Sequence, residues 1–409
     1  MSSILLLQPE IMLDIFSRLP VVSVLQCRRV CKIWRNLRLF DDKYFGDMHL
    51  RQLLMQQQDD RGGCLYNSNL NNGNLCFIFS GYSFLYTLEI DEQSRKKVRK
   101  INVPLPSTMC AVIGSCNGLV CLAKRNHFGT YYPAYICNPI TKERIDLPFF
   151  ITNKKEKDVR RVLSGFGYVL STNEYKVVRI VYYYGNEDLS GHVQVYTLGD
   201  GSGWRDKEET HYQLSNEARN NVLANGDLHW LDSQGNIVAF SLAKEEFQLL
   251  SPPPCLPAST ESQIFKLCVL GGCLCVFHQQ RGYVSNATLW MLKKKTSGDC
   301  GGKEQEDYDS LSWNKEFTLP FESLSWSKTF TLPFAITKSG EILISLFEIG
   351  KSIICYDTNT STTKERWEVD QILFRFEAAP HMHSFVSLKE CIRKKTDRDL
   401  NYSRIKIES

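Results

Sequence analysis

The amino-acid sequence predicts an α+β chain in two parts: a small helical unit at the N-terminus, then a large all-β domain, arranged as a β-propeller of six or seven blades. Three observations carry this reading. The spacing of apolar residues changes from helical to strand-like near residue 50. Beyond that point, short apolar runs alternate with glycine turns over about 310 residues. One turn-plus-hairpin phrase also recurs along the chain.

Residues 9–55 read as helix. Ile11, Met12, Ile15, Phe16 and Leu19 recur at three- and four-residue steps, which marks one buried helical stripe. Pro9 suits a first helical turn, and Glu10 and Asp14 sit where the helix dipole favours acids. Leu19-Pro20 ends the helix, because proline lacks the N–H that the next turn needs. A second segment carries Val24, Leu25, Arg28 and Arg29, and a third carries Val30, Cys31, Trp34 and Leu37. Asp41-Asp42 opens a last helical stretch through Phe45, Met48 and Leu53. A unit this small cannot build an independent core and should bury its apolar face against something else. The predicted division is a helical domain over 4–50, a linker over 51–74, a β domain over 75–390, and a basic, disordered tail over 391–409.

The strand-like runs are Leu75–Phe79, Leu85–Ile90, Leu119–Ala123, Tyr135–Cys137, Gly165–Leu170, Tyr175–Tyr183, Val193–Leu198, Leu228–Leu231, Ile237–Leu242, Leu267–Leu270, Leu274–His278, Ala287–Leu292, Glu341–Leu346 and Ile353–Asp357. Turns fall at Asn117-Gly118, Ser202-Gly203, Asn225-Gly226, Gln234-Gly235, Gly271-Gly272 and Ser339-Gly340. Radial repetition accommodates so many short strands while leaving only short, protected edges. The recurring phrase is visible in Asn117–Leu122, Asn225–Leu231 and Ser339–Ile344, followed by second strands at Tyr135–Pro139, Ile237–Ser241 and Ile353–Asp357. A second repeat is of another kind. Ser310–Phe321 returns as Ser323–Phe334 with ten of twelve positions identical, the pattern of a tandem duplication. One copy is expected to fill a blade strand and the other to loop out.

Composition bounds the function. The chain is 43% hydrophobic and 23% charged, an ordinary globular balance, and a net charge of +4 over 409 residues is too weak to imply nucleic acid. No run of about 18 apolar residues exists to span a membrane. The 15 cysteines contain no CxxC pair and read as free, mostly buried thiols of a cytoplasmic and/or nuclear protein. No metal site or cofactor is expected. His381-x-His383 has few carboxylates nearby and reads as a surface pair. Gly199–Gly203 lacks the Lys-Ser/Thr of a phosphate loop and reads as a blade turn. Cys116, Cys121 and Cys275 lie in or beside apolar strands, as structural thiols rather than nucleophiles do.

The helical unit resembles an F-box. The matching residues are Leu7, Glu10, Ile15, Arg18-Leu19-Pro20, Val24, Leu25, Cys27, Arg28, Val30-Cys31-Lys32, Trp34-Arg35, Phe45 and His49-Leu50. The proline of Leu7-Gln8-Pro9-Glu10 falls one place later than in the family's Leu-Pro-x-Glu opening. The β region resembles the F-box-associated domain common in plant F-box proteins. Its marks are Gly114–Val120, Cys137–Thr141 with Leu147-Pro148, Gly165–Tyr168 with Glu174–Arg179, Val195–Leu198 with Trp204-Arg205, and Asn225–Trp230.

The resemblance implies a non-catalytic substrate receptor of an SCF-type ubiquitin ligase. Its partners would be a Skp-type adaptor, a cullin and RING protein reached through that adaptor, and an unknown protein substrate. The adaptor-binding residues would be Pro9, Ile11, Ile15, Leu19, Pro20, Val24, Leu25, Val30 and Trp34. Substrate anchors would sit on inter-strand loops, with Phe128, Tyr131, Tyr132, Tyr184 and Tyr283 as aromatic candidates. Tyr182-Tyr183-Tyr184 is equally readable as strand packing. Alternative readings are an adaptor-bound scaffold that works without cullin, and a propeller enzyme, which would need a convergent polar cluster at the axis.

Overall fold

The computed structural model of the chain describes residues 8–32, 34, 44–58, 70–71, 74–81, 84–91, 96–101, 110–148, 158–185, 190–215, 221–256, 263–280, 286–294, 311–320, 330–337, 339–347, 352–368 and 378–392. The helices described over their full length come first: α1 (Pro9–Ser17), α2 (Val21–Cys27) and α3 (Phe45–Gln58), with Lys32 and Trp34 also helical. Helix α3 runs past the boundary predicted at residue 50. Its Leu50, Leu53 and Leu54 pack on the β domain, so the start of the expected linker is structured. None of the described helices is long and apolar enough to cross a membrane.

The β domain is a six-bladed propeller of four-stranded antiparallel sheets. The first blade holds β1 (Leu70–Asn71), β2 (Asn74–Ser80), β3 (Leu85–Ile90) and β4 (Lys96–Ile101). The second holds β5 (Cys110–Cys116), β6 (Leu119–Arg125), β7 (Tyr131–Cys137) and β8 (Arg144–Asp146). The third holds β9 (Val159–Val169), β10 (Glu174–Tyr183), β11 (Gly191–Thr197) and β12 (Trp204–Asp206). The fourth holds β13 (Val222–Ala224), β14 (Asp227–Leu231), β15 (Ile237–Ser241) and β16 (Glu246–Leu250). The fifth holds β17 (Gln263–Leu270), β18 (Cys273–Gln280), β19 (Asn286–Lys294) and β20 (Leu311–Pro320). The sixth holds β21 (Phe330–Ile336), β22 (Ile342–Phe347), β23 (Ser352–Asp357) and β24 (Thr362–Glu368). A final short strand, β25 (Ala379–Pro380), pairs with β2, so the C-terminal part of the chain completes the first blade and closes the ring.

Six apolar clusters lie between successive blades. Cys275, Phe277 and Leu289 of the fifth blade meet Ile342, Ile344 and Ile354 of the sixth. Leu343 and Ile353 point the other way, onto Phe77, Phe79 and Leu88 of the first. Successive side chains of a strand leave opposite faces of the sheet, and in a ring both faces meet a neighbouring blade. The middle strands are therefore buried over most of their length, and at every position in Ile237–Ser241 and Ser352–Asp357. This is why they read as unbroken apolar runs rather than as alternating ones.

The duplicated segment departs from the expectation that one copy is looped out. Phe317–Pro320 of the first copy ends β20, the outer strand of the fifth blade. Phe330–Phe334 of the second copy begins β21, the inner strand of the sixth. The same Phe-Thr-Leu-Pro phrase thus serves two different strand positions. Pro333 in β21 has no N–H to give the ladder, and the register shifts there, between Pro333 and Ala335. Residues 321–329, and the predicted tail beyond 392, lie outside the described residues.

Candidate functional site

Helix α1 has two apolar sides. Met12 and Phe16 turn inward, while Ile11 and Ile15, one turn apart, are 46% and 42% exposed. The helix stops where Pro20 follows Leu19, and Pro20 caps the start of α2, with Val24 N–H donating to the Pro20 carbonyl at 2.9 Å. The end of α1 leaves carbonyls that need donors. The ring N–H of His49 on α3 donates to the Leu19 carbonyl at 2.9 Å. Burial pushes the His49 imidazole below its ordinary range, and the carbonyl only partly opposes this, so His49 stays neutral. Trp34 packs edge-on against Phe16 at 5.4 Å between ring centres.

This helical unit finishes its core on the propeller. Met12, Phe16, Val21, Val24 and Phe45 cluster around Phe385, and Ile140 of the second blade packs alongside. Gly46 lets α3 approach the Phe385 backbone, where a Cβ would stand 2.6 Å from the carbonyl oxygen. The segment carrying Phe385 is itself clamped. Buried Asn138 donates through Nδ2 to the carbonyls of Ser384 (3.1 Å) and Val386 (2.7 Å), while its Oδ1 accepts from Ile140 N–H. Ser384 Oγ donates to the Asn117 carbonyl at 2.6 Å. Glu143 accepts from Leu388 N–H at 2.7 Å and from Ser387 Oγ at 3.1 Å, at the start of the short helix 388–392.

The helices therefore sit on one defined face of the ring. Asn117 lies in the β5–β6 turn, and Asn138 and Glu143 in the β7–β8 turn, at the same end of an up-and-down blade. The β6–β7 loop at 126–130, and by the same topology the β10–β11 connection, lies at the other end, roughly 20 Å away across a seven-residue strand. Phe128 and Tyr184 stand on that far face, 63% and 65% exposed. Tyr131 is half-buried, with Arg125 over its ring at 5.9 Å. Tyr132 packs against Val159, Val181 and Tyr183 across the junction of the second and third blades.

Comparison with known proteins is decisive for this architecture. Residues 74–388 match the F-box associated beta propeller domain family, and residues 9–40 match the F-box-like family. This chain belongs to the F-box proteins that carry an F-box-associated β-propeller. Among similar proteins of Arabidopsis thaliana, F-box protein At3g07870 is 27% identical, covering 76% of this chain and 72% of its own length. F-box protein CPR1 is also 27% identical with the same coverage. F-box/kelch-repeat protein At3g23880 is 25% identical, covering 76% of this chain and 79% of its own.

The F-box residues singled out from the sequence divide into groups. Ile11, Ile15 and Val30 are exposed; Leu19, Pro20, Leu25 and Trp34 are half-buried. Val24 corrects the expectation of an outward anchor: it is fully buried, because its side of α2 faces Phe45 and Phe385. Trp34 likewise spends one face on Phe16. The expectation that this unit needs a partner's surface for its core is met in part within the chain, by Phe385 and Ile140. Pro9 opens α1, though its side chain lies outside the described ones. On the far face, Tyr182 and Tyr183 are buried strand residues and only Tyr184 projects; Tyr283 lies outside the described residues. The closing segment 381–388 carries no strand or helix pattern, so the sequence reading missed its anchoring role. The Asn-Pro turn after β7 was visible only as a family mark.

The propeller axis holds a cavity of about 150 Å³, walled by inner-strand residues such as Ile113, Phe166, Leu223, Val269 and Phe334. Its polar side chains are engaged: Ser345 Oγ donates to the Leu332 carbonyl, Ser115 Oγ meets His381 Nδ1, and Asn221 Nδ2 donates to the Ser164 carbonyl. No carboxylate, imidazole or amine is among the described lining residues. Cys116, Cys121 and Cys275 are buried, and burial raises each thiol, Cys116 to about 12, which keeps them protonated and weakly nucleophilic. Gly199–Gly203 forms the β11–β12 turn. His381 and His383 are not a surface pair. Both are buried, with rings 5.4 Å apart, because the closing segment runs between α3 and the first two blades.

Proposed function

We propose that this protein is the substrate-recognition subunit of an SCF-type ubiquitin ligase, holding a Skp-type adaptor with its F-box and a protein substrate with the propeller. The observation that carries the reading is the exposed Ile11/Ile15 pair on α1. Among the described residues, Met12 and Phe16 fill the inner side of the F-box core, and Ile11 and Ile15 lie outside that cluster. Burying what remains exposed of each in a partner's groove would contribute about 1 kcal/mol. Exposed Val30 and the uncovered parts of Leu19, Pro20 and Leu25 would extend the contact. The cullin and RING protein would join through the adaptor, and the chemistry of ubiquitin transfer would belong to those subunits. This chain would act by proximity, raising the effective concentration of substrate at the ligase and so leading to its ubiquitination and degradation. Free thiols support a cytoplasmic and/or nuclear location.

The test is co-purification of the full chain with Skp-type adaptors. Ile11→Asp/Ile15→Asp should weaken capture at least tenfold while the propeller's thermal unfolding changes little, since both positions lie outside the described core clusters. A wild-type chain that captures no such adaptor, or a double variant that captures it undiminished, overturns the reading. Phe128→Ala/Tyr184→Ala on the far face should reduce co-purification of substrate with adaptor capture intact.

A further inference from the structure

Cys76, Glu89 and His383 converge at the seam where the ring closes. Cys76 and Glu89 are direct cross-strand partners on β2 and β3, so their side chains share one face of the sheet. His383 arrives from the closing segment, whose register is fixed by the His381 N–H donating to the Cys76 carbonyl at 2.9 Å. One donor atom from each of the three residues lies within 4.8 Å of the other two. Cys76 is fully buried, His383 nearly so, and the Glu89 side chain is 13% exposed.

We propose that Cys76, Glu89 and His383 form a zinc site that staples the first blade to the closing segment. Ligands of a tetrahedral zinc ion stand roughly 3.3–3.8 Å apart, given metal–ligand bonds of about 2.0–2.3 Å. The imidazole Nε2 and Glu89 Oε1 are already 3.2 Å apart, so a small inward shift of the thiol sets three corners of the tetrahedron, and a water would take the fourth. A thiolate with an imidazole favours zinc over magnesium or calcium, which take oxygen ligands. The thiolate and carboxylate together cancel the two charges of the ion, and a neutral cluster escapes most of the cost of burying charge.

The surroundings orient these ligands. Arg99 Nη2 holds Glu89 Oε2 at 3.4 Å and leaves Oε1 for the ion. On binding, Cys76 releases its thiol proton to solvent, and His383 offers the Nε2 lone pair with a proton kept only on Nδ1. Phe385, the F-box anchor, lies two residues beyond His383, so the ion would tighten ring closure and F-box seating together.

The full-length protein, stripped with a chelator, is to be titrated with Zn²⁺ against a chromophoric chelator, with bound metal counted by elemental analysis. Wild type should bind one equivalent that Cys76→Ser and His383→Gln each lose, while Cys255→Ser keeps it. Zinc should raise the melting temperature of wild type and not that of the two ligand variants. X-ray absorption of the zinc-loaded wild type should show one sulfur among nitrogen and oxygen neighbours, a readout that needs no variant to fold. No bound zinc in wild type, an all-sulfur or sulfur-free shell, or folded ligand variants that keep the equivalent would each overturn the assignment.

Discussion

Glu245 sits in the turn between β15 and β16 with its side chain 8% exposed, and three cations converge on it. Lys176 reaches it at 2.8 Å and Lys207 at 2.5 Å, and Arg205 grips both oxygens at 2.8 and 3.1 Å. The cations belong to the third blade and the carboxylate to the fourth, so one side chain ties two blades. Burial pushes the carboxyl up, but the hydrogen bonds from Arg205, Lys176 and Lys207 outweigh it and hold the group at about 2. A carboxyl depressed in the folded state stabilises it above the unfolded value near 4.5 and loses that contribution as pH falls toward 2. The shift corresponds to at most about 3 kcal/mol, discounted to about 2 because Arg205 and Lys207 are one-third exposed. Glu245→Gln should cost roughly this much at pH 7 and flatten the loss of stability between pH 5 and 2, as read from urea unfolding across pH. None of this was legible in the sequence, since Glu245 is one acid among 45. Its partners lie 38 to 69 residues upstream. The same holds for His383, whose carboxylate partner Glu89 lies 294 residues away; searching near the histidines in sequence could not find it.

At the scale of elements, the legible parts were those with both faces buried. The second and third strands of the blades read as apolar runs because each face meets a neighbouring blade. The outermost strands β4, β8, β12, β16 and β24 were missed, and β20 was foreseen only as one copy of the duplicated segment. An outer strand needs little apolar surface: β4 reads Lys96-Lys97-Val98-Arg99-Lys100-Ile101 and is exposed over most of its length. Its lysines also guard the open edge against pairing with another chain. The turns were legible for a backbone reason. Asn117-Gly118 joins β5 and β6 with both residues at positive φ (51° and 84°), the two-residue hairpin that Asn-Gly forms most readily. Gly118 also has Ser384 against it, where a Cβ would collide with the hydroxyl. The duplicated segment supplies the sharpest test at this scale. If one copy were surplus, deleting Ser310–Glu322 would be neutral. Because the copies feed β20 and β21 of different blades, the deletion should leave one blade short of a strand and lower the melting temperature by at least 10 °C, on the order of the loss of several kcal/mol.

For the whole molecule, the C-terminal segment decides the architecture. It adds β25 to the first blade, passes His381 and His383 along the seam, and inserts Phe385 among Phe16, Val24, Phe45 and His49. F-box and propeller thereby become one packed unit, with the outward F-box surface and the aromatic loops at opposite ends of the ring. Phe385→Ala should cost about 3–5 kcal/mol, the usual loss for a buried phenylalanine. The loss should appear first in the F-box: hydrogen exchange in α3 should accelerate by orders of magnitude while exchange in β14 and β15 stays slow. Equal acceleration everywhere would mean that Phe385 stabilises the ring rather than the junction.

By itself the sequence determined the two-part division, the all-β character of the larger part, the F-box and propeller resemblances and the middle strands of the blades. Those depend on local periodicity, on proline and glycine backbone limits, and on runs of residues that water rejects. Tertiary structure alone decided the blade number, the fate of the duplicated segment, which F-box residues face out, and the pairing of Glu245 and of His383 with groups far along the chain. Such features depend on ring closure, which joins segments hundreds of residues apart, and no local pattern records which distant side chain will lie across the seam.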